Sequence, residues 1–362
     1  PMELTGSFAD LLHKFAPVFT APSFQTFQLL MTGWILSVRH RYITDLIITS
    51  DSVGHGHHSD YHRFFSHARW CLDQLWKMLA WLVVNTLFGP DSVIILAGDD
   101  TLCRRRGLGI FGAGMHHDPL ISSRGMKLVS WGHDWVNLCI VIVNPWWAPT
   151  KVFALPVCMR LYRNRPGLTK GQKKTKQQSR GSSGKKASGK KKSTPAGHRT
   201  RPELMREMLK LVASWFPDRR FLFVGDSLDT GQSVLRHLPE NMDMIGAVHP
   251  QGALYKPAPE IQTGRGRKRK KGERLPGRDE WAAEDSGWGR CVFNQFGLHG
   301  TFDTKTRTGL YYKAGGEREL KFVLSRDANR PHPPQISYCT DSSLSAQEIL
   351  GSNTRAQLAE AT

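Results

Sequence analysis

Two short apolar runs, each closed by glycine and aspartate, constrain what this chain can fold into more than any other feature. Val93-Ile94-Ile95-Leu96-Ala97 leads into Gly98-Asp99-Asp100, and Phe221-Leu222-Phe223-Val224 leads into Gly225-Asp226. A continuous apolar run of this length, bounded by turn residues, reads as a strand buried on both faces. Each run delivers an acid at its C-terminal end. Leu108 to Phe111 and Trp135 to Val143 read as two further strands, followed by a loop. Arg201-Pro202-Glu203 opens a helix whose broad apolar face carries Leu204, Met205, Met208, Leu209, Val212, Trp215 and Phe216. A short helix (Gly231 to His237) and a strand (Met244 to Val248) come next. This order implies an α/β fold, a mixed sheet covered by helices.

The flanking regions read differently. Residues 1–90 are predicted helical: Phe24, Phe27, Leu30, Met31, Trp34 and Ile35 recur at helical spacing, as do Phe65, Leu72, Leu75, Trp76 and Leu79. The polar stretch Asp51 to Asp60 between them is predicted to be a loop. Residues 91–249 hold the alternating core. Residues 250–340 carry β-prone runs and are expected to be a β-rich insertion, and residues 341–362 a terminal helix.

The formal net charge is +19, and two segments account for all of it. Residues 169–201 hold nine Lys, three Arg and no acid, and residues 264–278 hold eight basic residues and Glu273. Such tracts suit a polyanionic partner, with phosphate contacts that position without reading sequence; a flexible, solvated linker is the alternative for any one residue. The six Cys are scattered without a CxxC pair, which excludes a zinc ribbon and fits a reducing cytoplasmic setting. Leu75 to Phe88 is interrupted by Lys77 and falls short of the roughly 20 residues of a membrane span.

Neighbouring strands lie about 4.8 Å apart, so acids at two strand ends can share a divalent ion. Hard oxygen ligands suit Mg²⁺ or Mn²⁺, and a two-ion site built this way serves phosphodiester cleavage. An Asp after a strand also serves as a plain N-cap or turn residue. His57, His58, His62 and His67 lie in or near the polar loop with His55; His58 and His62 are spaced for shared ligation, and an exposed polar loop is the other reading. His116-His117-Asp118 and His133 either line the cleft or serve local hydrogen bonding.

Several stretches resemble bacterial insertion-sequence transposases with a DDE catalytic domain: Gly98-Asp99-Asp100-Thr101-Leu102-Cys103, Phe111-Gly112-Ala113-Gly114-Met115-His116-His117-Asp118-Pro119, Trp131-Gly132-His133-Asp134-Trp135-Val136, Phe223-Val224-Gly225-Asp226-Ser227, Arg236-His237-Leu238-Pro239 and Val248-His249-Pro250. The resemblance implies an RNase H-like core with a β-rich insertion between the second and third acids. It implies Asp99, two before a Thr, as the first acid and Asp226 as the second. The third acid of the family lies in a Tyr-x2-Arg-x3-Glu helix, and its register places it at Glu360, with Asn353 and Ala356 at the Tyr and Arg positions. The implied cofactor is Mg²⁺ or Mn²⁺ held by Asp99, Asp226 and Glu360. The implied partners are double-stranded DNA, element ends and target, bound by a homodimer, with residues 1–90 as possible end-binding helices. A remnant that only binds DNA, or a simple RNase H-type nuclease, is the alternative.

Overall fold

The computed structural model describes residues 6–38, 40–54, 56–123, 125–164, 198–260, 267–295, 298–329 and 332–361. Most of the first basic tract, the beginning of the second, and His55 therefore lie outside the described residues. The chain divides into two compact units, Pro1–Gly89 and Pro90–Thr362.

The first unit is helical: α1 (Gly6–His13), α2 (Ala21–Leu36), α3 (Ile43–Thr49), α4 (His58–Ser66) and α5 (Leu72–Leu87). Phe24, Phe27 and Leu30 of α2 meet Leu46, Tyr61 and Phe64 in its core. The helical spacing continues past what the core covers, so Trp34 and Ile35 stay exposed, as do Phe65 and Leu72. The predicted loop is shorter than expected. α4 starts at His58 because the His57 ring accepts from the Ser59 backbone N–H and caps the helix.

The second unit is built on one ten-stranded mixed sheet. β1 (Ile94–Arg104) lies centrally, antiparallel to β3 (Val129–Val143) and parallel to β5 (Phe221–Gly225). β6 (Met242–Ala247) is parallel to β5 on its far side. On the other flank, β2 (Gly114–His117) and β4 (Val152–Tyr162) both pair antiparallel with β3. Two corrections to the sequence reading fall here. Leu108 to Phe111 is a loop with Leu108 and Phe111 exposed, and the second strand comes a few residues later. Residues 152–162, predicted as loop, form β4. Pro156 masks that strand in the sequence, and it is tolerated because the register with β3 shifts between Leu138 and Cys139, a bulge beside the proline.

Helices cover both faces of the central strands. α6 (Arg201–Trp215) starts at a capping box between Thr200 and Glu203 and buries Met205, Met208, Leu209 and Val212. A Cβ on Gly98 would come within 2.6 Å of Met205 Cε and 2.8 Å of Phe223, so a larger residue there would force these side chains to shift where the helix packs on β1. The opposite face receives α10 (Ala346–Ala361), whose Ile349 and Ala356 pack with Ala97, Leu222 and Val224. The short helices α7 (Gln232–Leu235), α8 (Arg278–Ala283) and α9 (Tyr312–Gly315) complete the unit.

The β-prone runs after residue 250 do not form a separate layer. β7 (Gly289–Gln295), β8 (Leu298–Leu310), β9 (Glu319–Asp327) and β10 (Gln335–Cys339) form an antiparallel meander, and β10 pairs with β6 to extend the same sheet. Apolar alternation along a strand tells which face is buried, but not which edge the strand joins. α8 docks through buried Trp281, with Arg307 stacked over its ring at 4.8 Å. Among the described residues no helix is long and apolar enough to cross a membrane.

Candidate active site

The last paired residues of β1 and β5 are Gly98 and Gly225. Asp99 and Asp226 are therefore the next residues along the two chains, side by side where the parallel pairing stops; contrary to the sequence reading, Asp99 does not end its strand, because β1 continues to Arg104 in its pairing with β3. Side chains alternate along a strand. Ile95 and Ala97 face α10, and so do Leu222 and Val224; the same alternation puts Asp99 and Asp226 on the α10 side. Asp99 is exposed although β1 lies in the middle of the sheet, so this part of the face is open.

Asp100 points the other way, toward the start of α6. Its carboxylate lies 3.3 Å from Arg201 Nε. Arg201 also donates from Nε to Asp134 Oδ2 at 2.8 Å, makes a second short contact with that oxygen, and stacks over Tyr162 at 4.6 Å. Asp134 is 1% exposed and takes a further contact from His116 Nδ1 at 3.3 Å. The two adjacent acids are thus divided: Asp100 is tied to a cation behind the sheet, and Asp99 is left at the open face.

Asp99 Oδ1 accepts from the Asp100 backbone N–H at 2.8 Å. Asp226 Oδ1 accepts from the N–H groups of Leu228 and Asp229 at 2.7 and 2.9 Å, so one of its oxygens does hold a turn. Among the described residues no hydrogen bond engages Oδ2. Asp229, in that turn, is 2% exposed, and its Oδ1 has no hydrogen-bond partner among the described residues.

Neighbouring carboxylates act on one another here from both faces of the sheet. Partial burial raises the Asp99 pKa, opposed by the Asp100 N–H and reinforced by the charges of Asp226 and Asp134. Burial likewise raises that of Asp100, against the pull of Arg201. Burial pushes Asp229 up to about 8, helped by the charges of Asp226, Asp100 and Asp99. An excess of acid over cation, with oxygen donors only, is the donor set a hard divalent ion takes. By donor type and shared face, Asp99 and Asp226 suit two of the ligand positions of such an ion. Among the described residues no group of three His, Cys, Asp or Glu has metal-holding geometry.

Glu360 lies on α10, about three turns after Ile349 and four residues after Ala356. Its side chain lies outside the described residues. Residues early in α10, Gln347 and Glu348, line a cavity with Val93 and Phe221 at the opposite ends of β1 and β5. Glu348 caps the far end of α10 through Ser345, at 2.7 Å. Ala356, at the family's Arg position, is 2% exposed and is a packing residue here.

His116 is buried behind the sheet, and burial lowers its pKa against the opposing charge of Asp134. Asp118 is a structural acid, held down to about 2 by hydrogen bonds from Arg104 (2.7 Å) and Ser130 (2.6 Å). His133 does face the Asp99 side, where its Nε2 meets the Phe111 carbonyl at 2.9 Å. His58 and His62 bring their rings to 6.3 Å edge-on.

Two residues escaped the sequence reading. Asn137 pairs with Asp99 across β1 and β3 and donates to Thr101 Oγ1 at 2.9 Å, while its Oδ1 has no hydrogen-bond partner among the described residues. Its signal was a lone amide inside the otherwise apolar run Trp135 to Val143. Arg201 had only the role of a helix start, and nothing local marks it as the partner of Asp100 and Asp134.

Four antiparallel strands, β1 to β4, followed by the parallel strands β5 and β6, with helices on both faces, one acid within β1 and one just after β5, define an RNase H-like fold of the DDE type. The family model described as DDE superfamily endonuclease matches residues 14–292, most of the chain, and the protein belongs to that family. The matched span contains Asp99 and Asp226 and ends within β7. No curated protein matches the chain. Membership implies phosphodiester hydrolysis with DNA as substrate.

Proposed function

We propose that this protein is a transposase that cleaves DNA at the ends of a mobile element and joins them to a target. The observation that carries the proposal is the register of β1 and β5, which sets Asp99 beside Asp226 on one face, the face against which α10, the helix of Glu360, packs. These three residues would hold Mg²⁺ or Mn²⁺. Bound there, two such ions activate a water or a 3′-hydroxyl and stabilise the leaving oxygen.

The chain's own part is to place and separate charge. Arg201 binds Asp100 and Asp134, which keeps Asp100 off the open face. The turn at Asp226 fixes one carboxylate oxygen and orients the other. Asn137 and Thr101 flank Asp99 with hydrogen-bonding groups suited to orienting a phosphate. The basic tracts supply non-specific attraction for the DNA, and a homodimer would hold two ends together.

The test is cleavage and joining of end-containing DNA by the full chain with Mg²⁺, beside Asp99→Asn, Asp226→Asn and Glu360→Gln. Cleavage with joining in the wild type, and neither in the variants, is expected. Cleavage that persists in Asp99→Asn and Asp226→Asn overturns the site. Cleavage without joining reduces the protein to a simple nuclease. A metal-independent DNA complex without cleavage makes it a binding remnant.

A further inference from the structure

One strand beyond Asp226, at the same edge of the sheet, lies a cavity of about 380 Å³. His249, which follows β6, lines it together with Tyr255, Lys271, Tyr311, Tyr312 and Lys313. The pairing of Val224 with Ile245 sets Asp226 level with Ala247. His249 is two residues further on. With strands about 4.8 Å apart and a rise of about 3.3 Å per residue, a straight extension of β6 would put the His249 backbone about 8 Å from that of Asp226. A strand whose scissile phosphate sits at Asp226 would pass a neighbouring phosphate at such a distance.

Lys271 singles this cavity out. Its ammonium sits 3.6 Å from the centre of the Tyr255 ring and 5.3 Å from that of Tyr312, and the residue is half-buried. Nearby lysines spend their charge on carboxylates: Lys270 on Glu317 at 2.5 Å and Lys256 on Glu273 at 2.9 Å. Among the described residues no carboxylate lies within ion-pair distance of Lys271, and no acceptor takes its N–H groups. The π-faces stabilise the cation without using its three donors. His249 Nδ1 accepts from the Gln251 backbone N–H at 3.2 Å, so its neutral ring carries the proton on Nε2, a further donor at the cavity. Lys313 adds a second positive charge. Donors, two cations and no acid make a site for a phosphate group.

We propose that this cavity is a subsite for a DNA backbone phosphate, with Lys271 as its cation, holding the strand close to the bond to be cut. The inference rests on the reading of the protein as a DNA-cleaving enzyme.

The test is equilibrium binding of a duplex oligonucleotide to the full chain over a range of salt concentrations, without divalent metal. Lys271→Gln is expected to weaken binding several-fold and to lower the slope of log affinity against log salt by about 0.9, one phosphate contact. Lys271→Arg should keep the slope, and Lys268→Gln, the same charge change at an exposed position of the tract, should alter it less. Melting temperatures of the variants check folding. A Lys271→Gln slope equal to that of wild type overturns the subsite. So does an equal fall in Lys268→Gln, which would mean a general field, or a site that takes a free deoxynucleoside monophosphate while the DNA slope stays unchanged. If any of these occurs while the wild type still cleaves DNA with Mg²⁺, only the subsite fails. A wild type that binds no DNA at any salt concentration sinks both readings.

Discussion

Asp229→Asn should stabilise the metal-free protein at neutral pH and remove most of its loss of stability between mildly acidic and mildly basic solution. Asp229 is 2% exposed and stands among Asp226, Asp100 and Asp99, which with burial push it up to about 8. In the unfolded chain an Asp titrates near 3.8. Because the folded-state value lies above the unfolded one, this residue costs nothing below about pH 4. From there to about pH 8 the unfolded chain has lost the proton and the folded chain still holds it, so stability falls as pH rises. One proton is worth about 1.4 kcal/mol per pH unit. Over a window of roughly four units the cost is on the order of 5 kcal/mol. For a unit of this size that is about 3 °C of melting temperature per pH unit. The assay is thermal unfolding followed by circular dichroism in EDTA, from pH 4.5 to 8, for wild type and Asp229→Asn. Asn keeps the shape and cannot ionise, so the two curves should meet near pH 4.5 and diverge upward. Parallel curves, or a variant less stable at every pH, would show that Asp229 ionises freely in the fold and that the crowding argument is wrong.

The remaining predictions concern the same site and its supports. Mg²⁺ at a large excess over its dissociation constant should raise the melting temperature of the wild type through linkage, about 2.7 kcal/mol at a hundredfold excess, and should do so far less in Asp99→Asn; calorimetry with and without the ion decides it. Asp99→Asn and Asp226→Asn should each lower cleavage by on the order of a thousandfold while DNA binding persists, as gel-based kinetics beside a binding isotherm would reveal. Arg201→Gln leaves Asp134 charged and buried without its main partner and should cost about 3–5 kcal/mol in chemical denaturation; adding Asp134→Asn should recover most of the loss. Trp281→Ala should cost about 3–5 kcal/mol, because α8 loses its only fully buried large anchor and Arg307 its stacking partner; a loss under 1 kcal/mol would contradict that packing.

Much of this protein was legible in its residues because the signals are local. The runs before Asp99 and Asp226 are apolar on both faces, and only strands buried between two layers of helix use such runs. Arg201-Pro202-Glu203 marks the start of α6, and the charge tracts declare themselves by composition. β4 was hidden because Pro156 breaks strand propensity, and only the bulge against β3 shows how a proline is accommodated there.

What the tertiary structure decided is which local features meet. Asp99 and Asp100 are adjacent in the sequence, and only the family resemblance separates them. Side-chain alternation in a sheet with different helices on its two faces sends one to the open side and the other to Arg201. The meander of β7 to β10 reads as its own unit until its hydrogen bonds to β6 are seen. Lys271 is one lysine among many in a basic tract until Tyr255 and Tyr312 close around it. Residue type and local periodicity determined the elements and the chemistry available to this chain. The pairing of distant segments, driven by burial of apolar faces and satisfaction of backbone hydrogen bonds, decided which of those groups share a site.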